Sequence, residues 1–300
     1  MKAVRYASYG PPSVLEIVDA EPPVPSAGQV LVRTAATSFN LVDAVIRSGV
    51  RQQAFPLTLP YTPGIEVAGT VVSGGRFAAG DAVIGLLPML ANGAAAEYVA
   101  VDEAVLAPAP TSVPLADAAA FPVGALTAWQ GLFEHADVRA GQRVLVNGAG
   151  GTVGGYAVQL AARAGAHVIA SASPRSAARV RRYGAAEVVD HTVTPVGDAL
   201  TAPVDVVFDV VPRSDAALVS AVAPGGSYVT ASTEPPSDAP VRALRMFVRP
   251  DAERLAALAA LVDAGELDLD VAERLPLSEL VSVHERAEAG KLTGKVVLVP

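Results

Sequence analysis

The stretch Val144-Leu145-Val146-Asn147-Gly148-Ala149-Gly150-Gly151-Thr152-Val153-Gly154 constrains this chain more than any other. An apolar, β-branched run leads directly into clustered glycines. Beyond them Val153, Tyr156, Ala157, Leu160 and Ala164 share one helical stripe that stops at Gly165. A strand therefore enters the turn and a helix leaves it. Glycine lets the backbone turn sharply and lets a ligand come close, while the first turn of a helix offers free N–H groups and a partial positive charge. The spacing Ala149-x-Gly151-x-x-Gly154 is one residue away from G-x-G-x-x-G, with Gly148 and Gly150 also available. In this strand-turn-helix context, the backbone from Gly148 through Ala149, Gly150, Gly151, Thr152 and Val153 to Gly154 is expected to hold the pyrophosphate of a dinucleotide. The plainer alternative is a glycine-rich turn that only packs strand against helix.

The alternation continues past the turn. His167-Val168-Ile169-Ala170, Glu187-Val188-Val189 and Val204 to Val210 read as strands, Ser176 to Tyr183 and Ser214 to Val222 as helices. Pro224-Gly225-Gly226 then turns the chain into Tyr228-Val229-Thr230. This pattern predicts an α/β domain with a doubly wound parallel sheet. The first hundred or so residues differ. Short extended runs, among them Val30 to Arg33, Glu66 to Val72 and Glu97 to Val101, are broken by Gly10-Pro11-Pro12, Pro63-Gly64, Gly74-Gly75 and Gly80-Asp81. They predict a compact, barrel-like β domain. A length of 300 residues accommodates both. The expected division is 1–115 and 116–250, with 251–300 returning to the first domain through helices at Asp251 to Asp263 and Ser278 to Ala289 and a strand at Lys295 to Val299.

Several chemistries are excluded. The chain has no cysteine, which removes disulfides, thiolate catalysis, iron-sulfur clusters and Cys-containing zinc sites. His135, His167, His191 and His284 form no close-spaced ligand pair, so no metal site is expected. A net charge of −8 disfavours nucleic acid and anionic membrane as partners. No stretch reaches the roughly 18 to 20 apolar residues of a membrane span, and Met1 to Tyr6 lacks a signal peptide's apolar run. A cytoplasmic protein is expected.

The end of the second strand indicates which dinucleotide. NAD-binding proteins usually place a carboxylate there to bind the ribose 2′-hydroxyl. Here the residues are Ser171, Ala172, Ser173, Pro174 and Arg175, with no acid among them. Hydroxyls and a guanidinium suit a 2′-phosphate, so NADPH is preferred, with Ser171, Ser173 and Arg175 as its candidate contacts. Arg179, Arg181 and Arg182 read as a solvated helix face.

Met1-Lys2-Ala3-Val4, Phe39-Asn40-Leu41-Val42-Asp43-Ala44-Val45-Ile46-Arg47-Ser48-Gly49, Pro63 to Gly69, Ala96 to Val99, Leu126-Thr127-Ala128-Trp129 and Gly294 to Leu298 add to the glycine turn. With these motifs nearly the whole chain resembles the zinc-free quinone oxidoreductases of the medium-chain dehydrogenase/reductase superfamily. The resemblance implies a GroES-like β-barrel domain built from the N-terminal part and the C-terminal tail, an inserted Rossmann domain, NADPH in the cleft between them, and a homodimer. By position, Asn40 matches the family's asparagine near the nicotinamide ribose and substrate, and Thr127 a residue beside the nicotinamide. His191 takes a place near the adenosine phosphate that often carries Tyr; its plainer alternative is a solvated loop imidazole. Val210, Phe247 and Val248 match positions passing the nicotinamide, and Lys295 one approaching the cofactor. Zinc-dependent relatives have Cys within the segment corresponding to Phe39-Asn40-Leu41, and Gly-His-Glu at Gly64-Ile65-Glu66. Val45 stands where quinone reductases of this type often have Tyr.

Without a Lewis acid, reduction of an electron-poor quinone or enone remains open while alcohol oxidation loses its usual mechanism. Asn40 is the candidate donor to the oxygen on which charge develops. Its structural alternative is a turn or capping asparagine. Asp43 is read as orienting the Asn40 segment, Glu66 as binding backbone, and Tyr61, His135, His167 and His284 as structural. Rival functions are an enoyl or 2-alkenal reductase and a non-catalytic NADPH-binding sensor. A flavin-binding reading is weaker, because the turn lies mid-chain and no second flavin motif accompanies it.

Overall fold

The computed structural model describes residues 1–212 and 217–300. The chain divides into two compact units, Met1–Pro122 with Pro250–Pro300, and Val123–Arg249. No helix among the described residues is long and apolar enough to cross a membrane.

The first unit begins with β1 (Lys2–Arg5) and β2 (Glu16–Asp19), an antiparallel pair. Strand β3 (Gln29–Ser38) alternates, with Val30, Val32 and Ala36 fully buried, as a strand with one face on a core must. Helix α1 (Leu41–Ser48) starts at Asn40 and ends at Gly49, whose φ of 74° only glycine adopts readily. Strands β4 (Glu66–Ser73), β5 (Ala82–Leu86), β6 (Tyr98–Asp102) and β7 (Leu106–Pro108) complete the N-terminal part of a barrel-like sheet. Val30, Val32, Val67, Val71, Val83, Val99 and Val101 fill its core. β-Branched side chains suit that pleated interior.

The second unit opens with α2 (Pro122–Trp129), continued by a π-helical turn over Gln130–His135. Then follow β8 (Arg143–Asn147), α3 (Thr152–Arg163), β9 (His167–Ala172), α4 (Pro174–Arg182), β10 (Glu187–Asp190), β11 (Val204–Asp209), α5 (Ala217–Ser220), β12 (Val222–Thr230) and β13 (Arg242–Arg245). The sheet order is β10-β9-β8-β11-β12-β13, and every pair is parallel. From β8 the chain winds outward to β9 and β10, then crosses back to β11 on the other side. That reversal puts a crevice beyond the carboxyl ends of β8 and β11, where open α/β sheets bind ligands.

Two local expectations need correction. Of the helix expected over Ser214 to Val222, Ser214 to Ala216 lie outside the described residues, Ala217–Ser220 is helical, and Val222 already belongs to β12. Pro224-Gly225-Gly226 is not a turn before the strand. Val204 pairs with Val222 and Val206 with Ser227, so these residues form an irregularity inside β12. Burial of Val222 and pairing with β11 outweigh the local turn preference.

The chain then returns to the first unit. Asp251 caps α6 (Ala252–Asp263) by accepting from Arg254 N at 2.9 Å, and β14 (Glu273–Pro276), α7 (Leu280–Glu288) and β15 (Val296–Val299) follow. Strand β15 pairs antiparallel with β3 through Val297 to Ser38 and Leu298 to Thr37, and β14 lies parallel on its outer side. The last strand of the chain thus borders the end of β3, from which Asn40 emerges.

Helices α1 and α7 are joined through a fully buried arginine. Arg47 Nε donates to His284 Nδ1 (3.2 Å), Arg47 Nη1 to Gly10 O (2.5 Å) and Arg47 Nη2 to the Glu288 carboxylate. A guanidinium only donates, so the imidazole is neutral with its proton on Nε2. Burial, then the Arg47 charge, pull the His284 pKa down to about 3 from 6.5. In this window the unfolded chain binds a proton that the native state refuses, so stability is lost as pH falls through it. Between pH 6.5 and 4.5 the loss is about 2 kcal/mol. His284→Asn, whose amide oxygen can accept the same Arg47 hydrogen, is expected to abolish this component. Urea unfolding of both proteins at the two pH values measures it.

Candidate functional site

In the second unit, buried hydrogen bonds lock the glycine turn. Asn147 ends β8, and its Nδ2 donates to Asp209 Oδ1 at the end of β11 (3.0 Å). Tyr228 OH donates to Asp209 Oδ2 (2.6 Å), and Ser171 Oγ donates to Asn147 Oδ1 (2.7 Å). Gly148 N in turn donates to Ser171 Oγ (2.8 Å), and Ala149 N to Ser171 O (3.0 Å). Four neighbouring strands thereby fix where the turn leaves the sheet. Gly148 sits at φ 89°, and a Cβ on Gly154 would lie 2.2 Å from Gly148 O. The helix can approach the strand this closely only if residue 154 has no side chain.

The opposite face of the turn is open. A Cβ on Gly151 would meet nothing nearer than 3.5 Å. Gly151 is the N-cap of α3, yet α3 has no side-chain cap, and the Thr152 and Val153 amides have no hydrogen-bond partner among the described residues. Uncapped donors at the positive end of a helix dipole, beside a glycine that leaves room, fit a pyrophosphate. Asn147, Gly148, Ser171, His191, Val211 and Leu218 help to line a pocket of about 320 Å³ at this end of the sheet. His191 is thus brought to the glycine turn. Val210 also lies there: its N donates to Asn147 O (3.1 Å), and its side chain packs where a Gly148 Cβ would point.

Other candidates divide. Ser171 was expected at the 2′-phosphate, but its hydroxyl is buried and already both donates and accepts within the turn, so its place is structural. Ser173 is half-buried and Arg175 exposed, at the start of α4. Arg179, read as solvated, instead donates through Nη2 to Gly150 O (2.7 Å) and braces the turn. Its charge-rich neighbours concealed this role, which only the packing of α4 reveals. Thr127 is buried on α2, and its hydroxyl donates to Val123 O one turn earlier (2.6 Å). Phe247 and Val248 follow β13 at the carboxyl end of the sheet. Phe247 is exposed, with the Arg245 guanidinium over its ring.

A second polar cluster lies in the first unit, where β3 ends and β4 and β15 begin. Register produces it, since β15 continues back to Lys295 beside the residues following Ser38, and β4 starts at Glu66. Lys295 Nζ donates to Phe39 O (3.3 Å), Asn40 Oδ1 (2.7 Å) and Glu66 Oε2 (2.5 Å). Glu66 Oε2 also accepts from Asn40 Nδ2 (2.7 Å) and from Ser38 Oγ. Lys295 and Glu66 are almost completely buried. Two readings change as a result. The Lys295 ammonium has each of its hydrogens committed to Phe39, Asn40 and Glu66 inside the first unit. Glu66 binds side chains in addition to any backbone role.

Asn40 is a capping residue by position, but its side-chain amide faces Glu66 and Lys295. The cap is made by the main chain and Asp43: Asn40 N donates to Asp43 Oδ2 (2.8 Å), and Asp43 N to Asn40 O (2.9 Å). Burial pushes the Asp43 pKa up to about 7, opposed by backbone hydrogen bonds from Asn40 and Gly64 and by the Lys295 charge. Tyr61 is a packing aromatic with its hydroxyl on Met89 O (3.0 Å), and Val45 is partly exposed on α1.

Comparison with known proteins assigns the two units to a dehydrogenase and reductase class. Residues 26–111 match the family model described as alcohol dehydrogenase GroES-like domain, and residues 183–298 the one described as zinc-binding dehydrogenase. The chain is 33% identical to a chloroplast envelope quinone oxidoreductase homolog of Arabidopsis thaliana, over 100% of this chain and 98% of that one. It is 34% identical to an NADPH-dependent alkenal/one oxidoreductase of the same plant, over 100% and 80%. The solved quinone oxidoreductase of Coxiella burnetii superposes with a TM-score of 0.90 at 28% identity, covering 100% of this chain and 99% of that chain. The chain belongs to the medium-chain dehydrogenase/reductase superfamily, in its zinc-free quinone oxidoreductase branch. It is an oxidoreductase enzyme, which sets the sensor reading aside, and its family implies a nicotinamide cofactor. The residues present do not fit a zinc ion. Cysteine is absent, Ile65 stands where zinc-dependent relatives have histidine, and the Lys295 cation already holds the Asn40 and Glu66 oxygens.

Gly151→Asp separates fold from ligand. A carboxylate at the N-cap takes up the free amides and is expected to stabilise the ligand-free protein by about 0.5–1 kcal/mol. It also repels a pyrophosphate, so calorimetric affinity for a nicotinamide dinucleotide should fall more than about tenfold while the melting temperature rises.

Proposed function

We propose that this enzyme is an NADPH-dependent, zinc-independent reductase of quinones and related electron-poor carbonyl compounds. The carrying observation is the adenosine side of the pocket: β9 ends at Ala172 and passes through Ser173 and Pro174 to exposed Arg175 without a carboxylate. A guanidinium on the first turn of α4 suits a ribose 2′-phosphate, and an acid there would repel it. His191, on the same pocket, is a further candidate contact. The NADPH-dependent alkenal/one relative supports this cofactor choice.

When bound, the reduced nicotinamide supplies a hydride, which an electron-poor acceptor takes up without a Lewis acid. The chain provides the rest. The Thr152 and Val153 amides hold the diphosphate, and Gly151 leaves room for it. An asparagine Nδ2 carries two hydrogens, and Asn40 uses one on Glu66. The other is available to the acceptor oxygen as charge develops there, and solvent supplies the final proton. Reduction of an enone C=C bond is the second reading, favoured by the alkenal/one relative.

Arg175→Ala is expected to weaken NADPH binding about 10- to 150-fold, the worth of one charged hydrogen bond. NADH binding should change little; equal losses for both cofactors refute the 2′-phosphate assignment. Acceptor class is read by following NADPH absorbance with ortho-quinones, para-quinones and enones, separating quinone loss from C=C reduction. Turnover is expected with at least one of these classes, and none with simple aldehydes.

A further inference from the structure

The Asn40 amide is held between a group that only accepts and a group that only donates. Glu66 Oε2 accepts from its Nδ2 (2.7 Å), while Lys295 Nζ donates to its Oδ1 (2.7 Å). A half-turn about the last side-chain bond would set the amide N–H groups against the ammonium and the amide oxygen against the carboxylate. Only one orientation satisfies both neighbours. The main chain is fixed as well, because Asn40 N donates to Asp43 Oδ2 (2.8 Å).

We propose that Lys295 and Glu66 are positioning residues that lock the Asn40 amide in the orientation presenting its second N–H to the acceptor oxygen. This rests on the reading of Asn40 as the substrate's hydrogen-bond donor and extends it to two residues that need not touch substrate or cofactor. The ammonium at Oδ1 also draws electron density from the amide, making its N–H groups better donors. Because the pair is buried and directly bonded, the lock adds no net charge where an oxyanion forms. Ser38 Oγ, also bonded to Glu66 Oε2, steadies the carboxylate.

The test compares the full chain with Lys295→Met and with Lys295→Met combined with Glu66→Gln, in which no buried carboxylate is left unpaired. The first readout needs no turnover: the Asn40 side-chain N–H pair in proton-nitrogen correlation spectra, assigned by its loss in Asn40→Asp. Wild type is expected to show two separated, slowly exchanging resonances, and both variants a pair that has moved toward free-amide positions and exchanges faster. The second readout is kinetic. In both variants kcat is expected to fall about 10- to 100-fold, part of the worth of an oriented oxyanion donor, with KM for NADPH within about twofold. The double variant should regain thermal stability without regaining kcat, because a carboxamide in place of the Glu66 carboxylate can donate or accept and no longer selects one orientation of the Asn40 amide.

Recovery of kcat together with stability in the double variant would overturn the proposal, assigning the pair a purely structural role. An unchanged Asn40 amide signal in both variants would overturn the lock itself. If none of the quinone or enone acceptors supports NADPH oxidation by wild type, the donor reading of Asn40 fails, and its role for the pair with it; the amide spectra then decide the lock separately.

Discussion

The second unit depends on one close approach, that of the Gly148 carbonyl to the backbone of Gly154. A single methyl group at position 154 would sit 2.2 Å from that oxygen. With no side chain there, α3 starts directly against the end of β8, and its first amides are left without a partner among the described residues. The buried chain from Tyr228 through Asp209, Asn147 and Ser171 to Gly148 N keeps the turn in place. Arg179 adds a hold on Gly150 O from a different helix. The first amides of α3 remain uncapped because the hydrogen bonds that stabilise the turn are made by other groups. On the proposed function, this turn would receive the diphosphate with little backbone adjustment.

The first unit solves a different problem, that of keeping a polar side chain in a defined state inside a barrel. Burying Lys295 and Glu66 is unfavourable for either alone and tolerable when they meet with their remaining valences satisfied. Phe39 O, Asn40 Oδ1 and Ser38 Oγ meet that condition. The cation therefore occupies the oxygen donors that would otherwise invite a metal ion. Arg47 follows the same logic one helix away, with Gly10 O, His284 and Glu288 around its guanidinium. A barrel core made mostly of Val, Leu and Ala is thus tied at its polar end by two buried cations, each pairing α1 or its cap with the C-terminal tail.

Much of this was legible in the residues. The strand, glycine turn and helix at 144–164 are local in sequence, and the α/β alternation beyond them named the parallel sheet. Failures came where neighbours distant in sequence decide. Ser171 has the chemistry of a phosphate ligand, but pairing of β8 with β9 aims its hydroxyl at Asn147 and Gly148 N. Arg179 belongs to a charge run typical of a solvated face, yet α4 packs so that it reaches Gly150. Pro224-Gly225-Gly226 carries a strong turn signal and is absorbed as an irregularity of β12 because flanking residues pair with β11.

The sequence by itself determined the glycine turn between β8 and α3, the missing carboxylate after β9 and the absence of any thiolate chemistry, because each depends on residue identity within a short stretch of chain. Tertiary structure decided what Asn40 does. Residues 40, 66 and 295 come together only through the pairing of β3 with β4 and with the last strand, and hydrogen-bond direction is a property of that meeting. Local propensity fixes which groups are available, while long-range strand register fixes which of them donates to which.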